Sequence, residues 1–253
     1  MSARVPLPRR AAAEAVGTAA LVAVVVGSGI QATELTRDVG VQLLANSLAT
    51  VLGLGVLIAL LGPVSGAHFN PAVSLAAWAT RRRGGEGLAL REVAAYIPAQ
   101  IGGAVAGAML ADAMFAEPVV RFSGHDRSAG HLWLAEAVAT AGLVWLIFGL
   151  ARTGRARLAP VAVPAWIGAA YWFTSSTSFA NPAVTIGRAF TDTFAGIAPA
   201  SVPAFLAAQL AGAGIGLLLV AAVFGRSVPY DGRPDPLPAS RSGSRPAEES
   251  ALT

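Results

Sequence analysis

Ser65-Gly66-Ala67-His68-Phe69-Asn70-Pro71-Ala72-Val73 contains the triplet Asn-Pro-Ala, and the triplet returns as Asn181-Pro182-Ala183. Asparagine caps a helix start well, proline suits the first helical position, and alanine continues the turn. Each triplet therefore predicts a helix start. The apolar pieces that follow, 70–80 and 181–190, have about ten residues each. At 1.5 Å rise per residue they cover roughly 15 Å, half of a ~30 Å hydrocarbon core.

The rest of the chain sets these pieces in lipid. Of 253 residues, 55% are hydrophobic and only 13% charged, where a soluble domain carries roughly 25% charge. Apolar runs at 11–30, 41–63, 93–115, 132–151, 158–177 and 201–224 each approach the ~20 residues of a membrane span. The sequence predicts an all-α membrane protein of six transmembrane helices plus two half-helices. The first run follows Arg9 and Arg10 as in a signal peptide, but it is too long for one and is read as a retained span.

The net charge is +4 and all 18 basic residues are arginine, whose distribution argues against nucleic acid. Arg4, Arg9, Arg10, Arg81, Arg82, Arg83, Arg91, Arg152, Arg155, Arg157, Arg226, Arg233, Arg241 and Arg245 fall on one side of the predicted topology. Arg37, Arg121, Arg127 and Arg188 fall on the other. The positive-inside rule then places both termini in the cytoplasm. Cysteine is absent, which removes disulfides and thiolate metal sites.

The chain is also a duplication. Ala13-Glu14-Ala15-Val16-Gly17-Thr18-Ala19-Ala20-Leu21-Val22 matches Ala135-Glu136-Ala137-Val138-Ala139-Thr140-Ala141-Gly142-Leu143-Val144 at eight of ten positions. The triplets follow, and then Gln100, Gly103 and Gly107 match Gln209, Gly212 and Gly216. Four segments result: a cytoplasmic N-terminus 1–10, a first repeat 11–130, a second repeat 131–227, and a polar tail 228–253 with nothing to bury. Three spans per repeat force the second copy upside down. Inverted repeats place their shared site at the midplane, on discontinuous helices, where irregular backbone survives only if buried or lining a watery cavity. Gly103/Gly107 and Gly212/Gly216 read as close helix packing.

The unpaired N–H groups and positive dipole of two facing helix starts repel cations, while each Asn carboxamide can still hydrogen-bond a passing solute. Glu14 and Glu136 are ionisable groups inside apolar spans, a functional flag. They read either as a proton relay or as braces that accept backbone N–H groups of the neighbouring half-helix loop. His68 has no ligand-type companion nearby in sequence, so it reads as a residue ordering its loop. No metal and no cofactor is expected, and no nucleophile–base pair or phosphate-cradling loop points to an enzyme.

On Ser65–Val73, Asn181-Pro182-Ala183, Glu14, Gln100, Glu136 and Gln209, over about residues 10–225, the chain resembles the aquaporin and aquaglyceroporin family of major intrinsic proteins. The resemblance implies a pore in each subunit, a homotetramer, bracing roles for the two glutamates, and a pore centre at Asn70-Pro71-Ala72 and Asn181-Pro182-Ala183. It also exposes a departure. Members selective for water or glycerol typically carry Arg directly after the second triplet, where this chain has Val184. Counting back from the triplets assigns the other constriction positions to Thr50, Ala169 and Ser178. Such a ring is wide, weakly polar and uncharged.

Val at that position, with the run from Asn181 to Arg188, is similar to a bacterial subgroup associated with metalloid resistance. The expected function is passive passage of small neutral solutes: arsenite, which is uncharged As(OH)3 at neutral pH, and glycerol-like polyols, with water. The alternatives are a water-preferring pore, a proton-coupled secondary transporter using Glu14 or Glu136, and a structural membrane protein. Arg188 has two readings: a cationic gatekeeper in the outer vestibule, or, more simply, an i,i+4 partner of Asp192.

Overall fold

The computed structural model describes residues 5–82 and 87–225. Among these residues every regular element is helical. Five helices are long and apolar enough to cross a membrane: α1 (Leu7–Leu35), α2 (Val39–Ser65), α4 (Leu90–Met114), α5 (Gly130–Arg152) and α8 (Val202–Phe224), the last prefaced by a 3-10 turn. Between α2 and α4 lies α3 (Pro71–Arg82); between α5 and α8 lie α6 (Ala159–Phe173) and α7 (Pro182–Gly187). The tail 228–253 lies outside the described residues.

Three expectations on boundaries change. The fifth span, expected over 158–177, stops at Phe173. Its 15 residues rise about 22 Å, short of a full crossing. Thr174 breaks away into extended backbone while its hydroxyl returns to the Ala170 carbonyl at 2.6 Å. The second half-helix is shorter than 181–190: six α-helical residues, then a tighter 3-10 turn over Arg188–Phe190. The N-terminal segment 1–10 already contains the start of α1, and Arg10 is buried against Glu92 at 2.5 Å and over the Tyr96 ring.

The duplication is visible in the packing. Helix α1 packs most extensively on α4, as α5 does on α8, and α2 meets α6. At the first contact Gly103 and Gly107 sit against the backbone carbonyls of Ala15 and Ala19, where a Cβ would come within 2.2 Å of either oxygen. Gly212 and Gly216 meet Ala137 and Ala141 in the same way, at 2.3 and 2.6 Å. Only glycine allows this approach, which brings the buried Glu and Gln of each helix pair under the half-helix loop.

Candidate functional site

The two helix starts meet tip to tip. Asn70 Oδ1 accepts the Ala72 N–H at 2.9 Å, and Asn181 Oδ1 accepts those of Ala183 at 3.0 Å and Val184 at 3.3 Å. Each carboxamide thus caps its own helix. Each then crosses to the other half: Asn70 Nδ2 donates to the Ala180 carbonyl at 2.8 Å, and Asn181 Nδ2 to the Phe69 carbonyl at 2.7 Å. Pro71, Ala72, Pro182 and Ala183 form the buried first turns.

Both loops leading into these starts run through left-handed backbone, at Ala67 and Phe69 in one half and Thr177, Ser178 and Ala180 in the other. Non-glycine residues hold that conformation only when the surroundings over-determine it, and here a buried carboxylate does so. Glu14 accepts the Ser65 hydroxyl at 2.6 Å, the His68 N–H at 3.0 Å, the Phe69 N–H at 2.6 Å and the Gln100 amide at 2.8 Å. Glu136 accepts the N–H groups of Phe179 at 2.9 Å and Ala180 at 2.8 Å, and the Gln209 amide at 2.6 Å. His68 Nδ1 lies 3.1 Å from the Ser74 hydroxyl, with its ring edge-on to Tyr96.

A cavity of about 500 Å³ is lined by both Asn side chains, by Arg188, and by Gly87 and Ala156. Its walls are stripes four residues apart: Thr50, Leu54 and Ile58 on α2, and Ala159, Val163, Ile167 and Tyr171 on α6. That spacing keeps one helix face toward the cavity. Thr50, Ser178 and Val184 all line it, as does His68. Ala169 does not: it is exposed on the outside of α6. Tyr171 occupies the wall instead, with its hydroxyl 3.2 Å from that of Thr50. Each residue turns a helix by about 100°, so a count carried back through an irregular loop easily lands on the wrong face. The four-residue stripe on α6 was the signal that could have found Tyr171.

The proposed pairing of Arg188 with Asp192 is overturned. Helix α7 has ended at Gly187, so the two residues no longer share a helical face. Asp192 instead binds Arg121 at 3.2 Å and the Gly124 N–H at 2.9 Å. Arg188 is buried in the cavity wall; its Nε donates to the Ala195 carbonyl and its guanidinium lies 3.4 Å above the centre of the Phe179 ring. Behind it, in the loop between α4 and α5, Arg127 Nε donates to the Gly196 carbonyl at 3.0 Å. Burial holds the Arg127 guanidinium below its ordinary value, and hydrogen bonds from Ser128 and Ser201 hold the Asp126 carboxyl below its own.

An all-helical membrane chain, folded on an internal duplication with two helix starts meeting beside a cavity that both triplet asparagines line, has the form of a transmembrane channel. The chain belongs to the major intrinsic protein family, whose sequence model matches residues 1–177. It is 50% identical over 214 residues to the aquaglyceroporin AqpS of Rhizobium meliloti (strain 1021), covering 85% of this chain and 89% of that protein. It is 30% identical over 217 residues to the probable aquaporin AqpM of Archaeoglobus fulgidus, covering 76% and 86%. Among solved structures, the aquaglyceroporin from Plasmodium falciparum aligns over 86% of this chain and 97% of its own, with a TM-score of 0.62 at 21% identity, a likeness of fold. The protein is an integral membrane channel for small neutral solutes, not an enzyme.

Proposed function

We propose that this channel conducts arsenite and other small metalloid hydroxides together with glycerol-like polyols, downhill and without coupling. The observation that carries the reading is Val184: buried, in the cavity wall, and directly after the second triplet, an uncharged and compact side chain at that position. Thr50, Ser178, Val184 and Tyr171 form the constriction in this reading, and Asn70 and Asn181 the central station where a solute meets the two carboxamides. Arg188, held against Phe179 and Ala195, shapes one wall of the same cavity and serves in this reading as a group of the outer vestibule. The likeness to a protein named an aquaglyceroporin supports passage of glycerol.

Glu14 and Glu136 act as braces in this account. Each already accepts three or more hydrogen bonds, and neither lines the cavity, which argues against a proton relay. The assembly is a homotetramer in a bacterial plasma membrane, with both termini cytoplasmic.

The test is flux through reconstituted vesicles, followed by light scattering. Val184→Arg is expected to keep water permeability and to lower glycerol and arsenite permeability about tenfold or more. Equal glycerol and arsenite fluxes from the two forms would refute the role of Val184.

A further inference from the structure

A matched pair of hydroxyls behaves differently in the two halves. Thr185 lies four residues after Asn181, and Ser74 four after Asn70. Thr185 takes a Gln209 amide N–H at 2.8 Å and gives its own proton to the Asn181 carbonyl at 2.9 Å. Ser74 likewise takes a Gln100 amide N–H at 3.0 Å. The donor there is the amide nitrogen, because the same atom lies 2.8 Å from the Glu14 carboxylate, which only accepts. The remaining contact of the Ser74 hydroxyl is not with its own helix: it is His68 Nδ1, at 3.1 Å. In the second half the place of His68, two residues before the asparagine, belongs to Phe179, whose ring offers no such acceptor. Both rings stand edge-on to a partner on the neighbouring helix, His68 to Tyr96 and Phe179 to Phe205.

Counting protons assigns the histidine. A neutral imidazole has one N–H and one bare nitrogen. Ser74 is fully buried, and a buried hydroxyl proton left without an acceptor is costly. With Gln100 donating to its oxygen, the Ser74 O–H has the bare Nδ1 as its acceptor, and the ring proton is left on Nε2. That nitrogen makes no hydrogen bond to protein and is not sealed off, and His68 lines the cavity. Apart from the throat residues Thr50, Tyr171, Ser178 and Arg188, the polar side chains that line it among the described residues are His68, Asn70 and Asn181. Each asparagine already spends an amide N–H on the facing loop, whereas the N–H of His68 is uncommitted.

We propose that Ser74 is a positioning residue that holds His68 as a neutral ring with its proton on Nε2, so that His68 donates a hydrogen bond to the oxygen of a passing solute. This rests on the channel reading given above and adds a residue to its path. A solute between apolar walls such as Leu54, Val73 and Leu143 has shed water and must recover hydrogen bonds from the few polar groups it meets. Each of its hydroxyls has two lone pairs for one proton, so the path needs donors more than acceptors. The opposite tautomer would offer a bare nitrogen, which competes with carbonyl oxygens for the scarcer protons. The contact from Ser74 prevents that, and it does so without placing a charge in the path.

The experiment has two arms. Nitrogen NMR of the full chain in bilayers, isotope-labelled in its three histidines, reads the tautomer, with the His68 signals identified by their loss in His68→Phe. Wild type is expected to show a bare Nδ1 and a protonated Nε2 at neutral pH; a protonated Nδ1 would overturn the proposal on the intact protein. In Ser74→Ala the population protonated on Nδ1 is expected to rise about fivefold, the weight of one net hydrogen bond, and an unchanged spectrum would remove the positioning role. The second arm measures glycerol flux into vesicles. His68→Phe, which copies Phe179, is expected to lose about fivefold in glycerol permeability; a permeability equal to wild type would overturn the donor role. A wild type that passes glycerol no faster than protein-free vesicles would overturn the channel reading and the donor role with it, while the tautomer result would stand on its own.

Discussion

Two carboxylates bear most of the weight that holds the half-helix loops in place. Glu14 satisfies four donors and Glu136 three, all deep inside the molecule. Removing either leaves backbone N–H groups buried without an acceptor, at about 1–3 kcal/mol apiece. Glu14→Ala should therefore destabilise the protein by ~3 kcal/mol or more, read as a lower unfolding temperature in detergent, with Glu136→Ala close behind. A melting temperature unmoved by Glu14→Ala would show that the loop holds its left-handed residues without the brace. The amide partners are similarly matched: Gln100 also donates to Ser74, and Gln209 to Thr185. These pairs were legible in the sequence because the two copies keep the same residues at the same offsets. Arg188 and Ala169 were not, since their surroundings depend on where α7 and α6 stop.

At the scale of elements, glycine and helix length do the work. Close contact between α1 and α4, and between α5 and α8, relies on four glycines whose missing Cβ atoms make room for a facing backbone carbonyl. Their neighbours give a control: Gly102 and Gly214 meet nothing within 4 Å. Gly103→Ala and Gly212→Ala should each lose roughly 1–3 kcal/mol through forced backbone separation. Gly102→Ala and Gly214→Ala should be neutral, or gain up to about 1 kcal/mol from helix propensity. Thermal unfolding of the four variants side by side distinguishes packing from propensity, and equal effects at all four would discount the close approach. The short α6 matters differently. By ending at Phe173 it hands the last part of the crossing to an irregular segment, which carries Ser178 and Phe179 into the cavity wall with Tyr171.

For the molecule as a whole, the expected odd number of spans per repeat would invert the second half. Sites in the loops after α4 and after α5 should then lie on opposite sides of the membrane. The cysteine-free chain makes this simple to check, because Gly124→Cys and Arg155→Cys each introduce a single thiol at an exposed position. An impermeant maleimide added outside intact cells should label the first and spare the second; labelling of both or the reverse pattern would overturn the proposed orientation. The sequence alone determined the membrane setting, the duplication, the paired helix starts and the glutamate–glutamine sets, because each is written locally, in hydrophobic runs, capping residues and repeated offsets. Which side chains share the throat was decided only by the tertiary structure. Helix phase turns about 100° per residue, so the early ends of α6 and α7 replace Ala169 by Tyr171 and free Arg188 from Asp192, and no local pattern in the loops records where those ends fall.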